Sequence, residues 1–236
     1  MARAGVHARR DLALLRPALA ALGLPVPRTF ARALLLRHRA IDKNQEEEDQ
    51  HLHFMRGSDD EDATKALAEA VGYAKVRARD AAERLADALR APRDEGRVSA
   101  LAKALADAMH VVRDSYSSGH ATREPHGVGP VVALRAWESD NQPERGFGLV
   151  HALRHDLRFE TPFAWFSHEV RASDAAVADL LALLREVAMS PPEARPAVFE
   201  ERWRGFVARR FLPPHQPLPE KQEDRDRRLE KGKATA

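Results

Sequence analysis

No cysteine occurs in the chain, and that absence excludes disulfide bonds, thiolate zinc sites and a cysteine nucleophile. Any bound metal must therefore be held by nitrogen and oxygen. Aromatic residues make up only 6% of the sequence, which gives little support to an extended base-stacking groove. Neither sign of charge dominates. Thirty-eight lysines and arginines against 36 aspartates and glutamates leave a net +2, too little for a protein that coats nucleic acid. No stretch is long and apolar enough to span a bilayer. Arg3, Arg9 and Arg10 precede a leucine-rich run, but Arg16 and Pro17 interrupt it before it has the quality of a signal peptide. The expectation is a soluble protein, cytoplasmic by default, with signal-independent export as an effector left open.

What the chain does contain favours helices. Alanine, leucine and arginine dominate its 236 residues, and β-branched runs are short. The expected fold is all-α, one multi-helix domain over residues 1–212, followed by a disordered, charged, proline-containing tail over 213–236 without an apolar pattern. A first helix is expected from about Ala8 to Ala21 and a second, capped by Thr29, to Ile41. Residues 42–62 are acidic and polar and predict a loop, in which Glu46, Glu47, Glu48 and Asp49 form a solvated charge run. Helical periodicity returns from Ala63 to Leu89. After a turn at Pro92–Gly96 it resumes with Val98, Leu101, Leu105, Met109 and Val112 on one face. Seven glycines and prolines between 120 and 148 predict a long loop with one short helix at Val131–Trp137. Further helices are expected at Phe147–Arg158, Ser173–Met189, with Asp174 as its N-terminal charge, and Pro196–Phe211.

The most informative segment runs from His110 to His120. Residues four apart share a helix face, so His110 and Asp114 can grip one ion with an imidazole nitrogen and a carboxylate oxygen. Continuing the same helix would turn His120 away. Ser117, Ser118 and Gly119 favour a break and a turn instead, which can return His120 toward that ion or a neighbouring one. Other histidines also fall at loop or helix ends, including His7, His51 and His53, and the pair His151 and His155 at four-residue spacing. His126, His168 and His215 have no partner at metal-binding spacing.

The segment Ala108-Met109-His110, then Asp114, then His120, resembles the signature of the zinc-dependent phospholipase C and single-strand-specific nuclease superfamily. Two shorter matches accompany it. Asp42 stands eleven residues ahead of His53-Phe54, and Gly5-Val6-His7 looks similar to the family's Gly-Thr-His-like segment before the first helix. The resemblance covers roughly residues 5–160. It implies an all-helical fold with a cluster of two or three zinc ions at helix ends and loops. Asp42, His53, His110 and Asp114 would surround the metal pair, with Asp114 bridging to a further ion near His7. His120 would serve another zinc with His151 and either His155 or Asp156. The family's N-terminal tryptophan has no counterpart ahead of His7.

The chemistry the resemblance implies is phosphodiester hydrolysis by metal-activated water, with Asp42 as candidate general base and Arg123 as a candidate bidentate ligand for a substrate phosphate. Imidazole and carboxylate ligands suit Zn²⁺ without excluding Mn²⁺. A serine nucleophile is not indicated, because no Gly-x-Ser-x-Gly elbow surrounds Ser115, Ser117 or Ser118. The aromatic stretch Phe163-Ala164-Trp165-Phe166, with Phe147 and Phe159, could rim a lipid site and tilts the expectation toward a phospholipase C-like enzyme. A single-strand-specific nuclease is the alternative substrate class. A helical interaction protein with incidental histidines, or a purely structural metal, is the alternative function.

Overall fold

Alanine and leucine at three- and four-residue intervals give this chain helices that can approach closely, and the architecture is built on that. The computed structural model describes residues 3–43, 47–58, 61–117, 120–124, 128–136 and 168–212. Among them are six α-helices: α1 (Arg3–Ala20), α2 (Arg28–Asp42), α3 (Ala63–Arg90), α4 (Glu95–Asp114), α5 (His168–Met189) and α6 (Arg195–Arg210). A 3-10 helix, η1 (Glu47–His53), joins α2 toward α3, and a ribbon of β1 (Ala121–Arg123) and β2 (Val131–Leu134) follows α4. The helical class is therefore as expected, with a small sheet added.

Helix α4 is the hub. Every residue from Ala104 to Asp114 is buried, so this helix has no solvent face there and must be enclosed by neighbours. Those neighbours are α1, α2, α3, α5 and η1. Small side chains make the enclosure tight. Helix α3 buries Ala66, Ala70, Ala74, Ala78, Ala81 and Ala82, and α4 buries Ala102, Ala104, Ala106 and Ala108. Asp62 starts α3 as its N-cap, accepting from the backbone N–H groups of Thr64 and Lys65 at 2.7 and 2.9 Å. Helix α1 ends in a Schellman turn. Leu24 N–H donates to Leu19 O and Gly23 N–H to Ala20 O, at 3.0 and 2.9 Å. Gly23 takes the left-handed φ of 72° that this turn requires.

An aromatic ladder supports the other side of the structure. Phe199 stacks on Trp203, Trp203 on Phe206, Phe206 meets Phe211 edge-on, and Phe211 lies 5.1 Å from Phe54. Phe54 is fully buried and has a left-handed φ of 58°. A non-glycine residue there costs about 1–2 kcal/mol, and burial of its ring in the ladder offsets that. The strained residue directly follows His53.

Several expected elements are corrected. In place of the helix expected at Val131–Trp137, residues Val131–Leu134 form strand β2: β-branched Val131 and Val132 follow Pro130, and the strand pairs antiparallel with β1, Ala121 opposite Leu134 and Arg123 opposite Val131. Thr29 is not a cap. Pro27 occupies that position with extended ψ of 170°, and α2 starts at Arg28. Asp174 lies inside α5, which begins at His168. Residues 42–62 are not wholly loop, since Asp42 closes α2 and η1 spans Glu47–His53. Helix α1 starts at Arg3, so His7 stands within the first helix rather than before it. The helix expected at Phe147–Arg158, the aromatic stretch 163–166 and the tail 213–236 lie outside the described residues.

The alanine packing predicts that Ala81→Leu, at a fully buried site, destabilises the protein by about 1–3 kcal/mol through overpacking. Val76→Ala, at a position 61% exposed, should change stability by less than about 0.5 kcal/mol. Urea midpoints at constant slope measure both.

Candidate metal centre

Polar side chains on the hub helix have to find partners inside the protein, because water cannot reach them. His110 and Asp114, one helical turn apart on α4, bring Nε2 and Oδ2 to 3.0 Å. The end of η1 delivers His53, whose Nδ1 lies 3.1 Å from the same oxygen and 3.3 Å from His110 Nε2. After Asp114 the chain reverses. Tyr116 N–H donates to Arg113 O, Ser117 N–H to Asp114 O, and His120 N–H to Ser117 O, all at 2.9 Å. This places His120 Nδ1 3.4 Å from Asp114 Oδ2. Asp42, at the end of α2, puts Oδ1 3.7 Å from His110 Nε2. Three imidazole nitrogens thus converge on one carboxylate oxygen, with a second carboxylate at the edge.

The set fits a cation. A zinc ion about 2.0–2.2 Å from four tetrahedral donors leaves those donors about 3.3–3.6 Å apart. The separations of 3.0, 3.1 and 3.3 Å among His53 Nδ1, His110 Nε2 and Asp114 Oδ2 lie at the short end of that range or just below it. His53, His110 and Asp114 form a buried group whose ligand atoms all lie within 4.8 Å of one another. Asp114 Oδ1 is buried and has no hydrogen-bond partner among the described residues, an uncommon state that a further electrophile would relieve.

The electrostatics point the same way. Burial alone would lower His110, but the carboxylates of Asp114, Asp42 and Asp11 outweigh it and raise the imidazole to about 9. Burial would raise Asp114, yet His110 and His120 hold it well below the usual carboxylate range. The pocket is built for positive charge beside a fixed negative one.

Comparison of the chain with family models, with curated proteins and with solved structures finds no match.

Of the residues expected in the site, the structure brings together Asp42, His53, His110, Asp114 and His120. His151, His155 and Asp156 lie outside the described residues, as does the side chain of His7. Arg123 is buried, and four of its five N–H groups are committed. Its Nε donates to Ser115 O, Nη2 to Ser115 Oγ, and Nη1 to Gly129 O and Arg210 O, at 2.6–2.8 Å. It also lies 3.8 Å over the Tyr116 ring. These contacts tie the turn after α4 to α6 and leave little of the guanidinium for a substrate phosphate. Ser115 Oγ is likewise occupied, donating to Val112 O at 2.6 Å. His51 faces a cavity of about 510 Å³ shared with Met55, Gly57, Ser58, Glu61, Ala66 and Glu69, none of them in the cluster.

Sequence reasoning missed a second layer behind the cluster. Asp11 of α1 and His38 of α2 are fully buried. His38 Nδ1 lies 3.3 Å from His110 Nδ1, and His38 Nε2 lies 2.9 Å from Asp11 Oδ2, although not in line for a hydrogen bond. Asp11 Oδ1 accepts from Arg113 Nε at 2.5 Å. Arg113 also donates to Asp174 Oδ1 at 2.8 Å, and Asp174 Oδ2 accepts from Arg10 at 2.6 Å. The signal was present. His38 occupies a core stripe with Phe30, Leu34 and Ile41, and Asp11 one with Ala8, Leu15 and Leu19. A charged or titratable residue in an apolar stripe has to have a buried partner.

Burial would raise Asp11, but Arg113, with His38 behind it, outweighs burial and holds the carboxyl below its usual value. A depressed carboxylate contributes stability that is present above the unfolded value, about 3.9, and is lost as pH falls through the folded one. Asp11→Asn should therefore cost about 3–5 kcal/mol at pH 7 by leaving Arg113 short of a buried counter-charge. It should also flatten the loss of stability below about pH 5. Denaturation midpoints across pH 3–7 would show both; an unchanged acid slope would contradict the account.

Proposed function

We propose that His53, His110 and Asp114, with Asp42 at the edge, hold a divalent cation, best suited to zinc, and that the protein is a phosphodiester hydrolase. The single observation that carries the reading is the convergence of His53, His110 and His120 nitrogens on Asp114 Oδ2. It agrees with the superfamily signature, which implies the same residues as ligands. When bound, a cation of this kind acts as a Lewis acid toward a phosphoryl oxygen and lowers the pKa of water.

The chain's own residues account for the rest of the site. Asp114 supplies the fixed negative charge. His53 and His110 orient their nitrogens toward it from two different elements, so the site forms only when η1 and α4 are docked. Asp42 is the member with an exposed edge, its side chain 30% accessible against 1% for Asp114. That position lets it meet both solvent and cluster, which suits it to accept a proton from an attacking water. No serine is needed as a nucleophile, in keeping with the occupied hydroxyl of Ser115.

A phospholipase C-like activity is the preferred substrate class, with cleavage of single-stranded nucleic acid as the alternative. A second reading, a purely structural cation, draws on the burial of His53, His110 and Asp114, since structural zinc sites are closed by four protein ligands. Activity separates the two.

Protein purified without a histidine tag should carry at least one zinc ion per chain by plasma mass spectrometry, and cleave either phosphatidylcholine vesicles or single-stranded DNA. Asp114→Asn should lose at least one ion and cut hydrolysis by a factor of about 10³ or more. Full activity in that variant would overturn the hydrolase assignment. Zinc without activity on either substrate would leave the structural reading.

A further inference from the structure

We propose that the outer face of α2 is a docking surface for an anionic lipid bilayer. The proposal does not depend on the cation site, and its test reads binding rather than hydrolysis.

Charge is unevenly distributed along the chain. Residues 1–43 hold nine lysines and arginines but only two acidic residues, Asp11 and Asp42, a net +7 in a chain whose overall charge is +2. Asp11 is fully buried and engaged by Arg113, and Asp42 lies beside His110. Two of the cations find acids on other helices, Arg10 on Asp174 and Arg37 on Asp107. The cations on the outside of α2 do not. Arg28, Arg32, Arg39 and Lys43 are exposed, and none has a carboxylate partner among the described residues.

Their spacing makes them one surface. With Leu36 they follow one another at three- and four-residue intervals, the spacing of neighbours on a helix face. At 3.6 residues per turn the five lie within about 80° of one another, over a length of about 22 Å. The opposite face, Phe30, Ala33, Leu34, His38 and Ile41, is buried, and α2 packs on α1 and α4. The cations therefore cannot turn inward, and like charges held on one rigid face call for an anionic partner from outside. Helix α1, packed beside α2, adds Arg9 and Arg16, both exposed and also without a carboxylate partner among the described residues.

The make-up of the stripe favours a lipid surface over a nucleic acid. Four to eight basic residues on a helix suit the headgroups of an anionic leaflet. Leu36 stands among them 51% exposed, where it can reach the apolar edge of the interface; a phosphate backbone offers it nothing. The other exposed positions of α2 are Thr29 and Ala40, so the face has no aromatic ring to stack on a base and no amide side chain to read one. Because the apolar face of α2 is already packed in the core, the helix lies flat on the bilayer by charge and does not insert.

Vesicle flotation tests the proposal. The protein should float with phosphatidylcholine vesicles containing about a third phosphatidylserine, far less with phosphatidylcholine alone, and lose the binding in about 0.5 M salt. Arg28→Glu combined with Arg32→Glu should weaken binding at least about tenfold. Both positions are exposed in the first half of α2, where added negative charge favours the helix. Arg185→Glu combined with Arg204→Glu, at exposed positions of α5 and α6, makes the same change in net charge and should leave binding within about twofold of wild type. Equal loss in the two pairs would overturn the assignment to α2. Binding indifferent to phosphatidylserine, or tighter binding to DNA than to the vesicles, would overturn the lipid partner. Should the α2 variant not fold, the dependence of the wild-type protein on phosphatidylserine decides.

Discussion

Asp114 ends a run, Ala104–Asp114, in which every residue of α4 is buried, and a carboxylate taken out of water there has to be matched by positive charge at close range. Much of the described structure follows from that requirement. The chain meets it from three directions, with His110 one turn away on α4, His53 from η1 and His120 from the turn that ends the helix. Asp11 poses the same problem one layer out and is answered by Arg113, which Asp174 and Arg10 then balance. A ladder of alternating charges, half-buried at Asp174 and buried from Arg10, Arg113 and Asp11 inward, thus runs from α5 through α1 and α4 toward the cluster. Each step is intelligible only with the next one present.

The packing explains why the ladder can exist. Alanine faces on α3 and α4 close the hub tightly enough to exclude water, which strengthens every charge interaction inside. The aromatic ladder of α6 holds Phe54 in a backbone conformation it would otherwise avoid. That strain sits beside His53, the residue delivered to the cluster from a 3-10 turn rather than from a long helix. A strained residue next to a converging ligand is the pattern expected where the backbone serves a site rather than its own preference.

Part of this was legible in the sequence. The local features are legible: the four-residue spacing of His110 and Asp114, the breaking residues before His120, and the start of α3 at Ala63. Tertiary partnership did not. Asp174 looks like a helix N-terminal charge because nothing nearby shows that Arg10 and Arg113 will reach it from other helices. Asp11 and Arg113 are 102 residues apart, His38 and His110 are 72, and no periodicity within one helix reports on such pairs. Val131 and Val132 stand in a strand because β2 pairs with Ala121–Arg123, and no periodicity within the segment itself reports on that partner. His38 and Asp11 each interrupt an apolar core stripe of their own helix. A titratable residue on an apolar stripe calls for a buried partner.

The central claim is that His53, His110 and Asp114 share one cation. Anomalous diffraction at the zinc edge, from crystals grown with saturating zinc, tests it most directly. The account predicts a peak about 2.0–2.2 Å from His53 Nδ1, His110 Nε2 and Asp114 Oδ2. A map with no peak there, or with zinc bound only elsewhere, would contradict it.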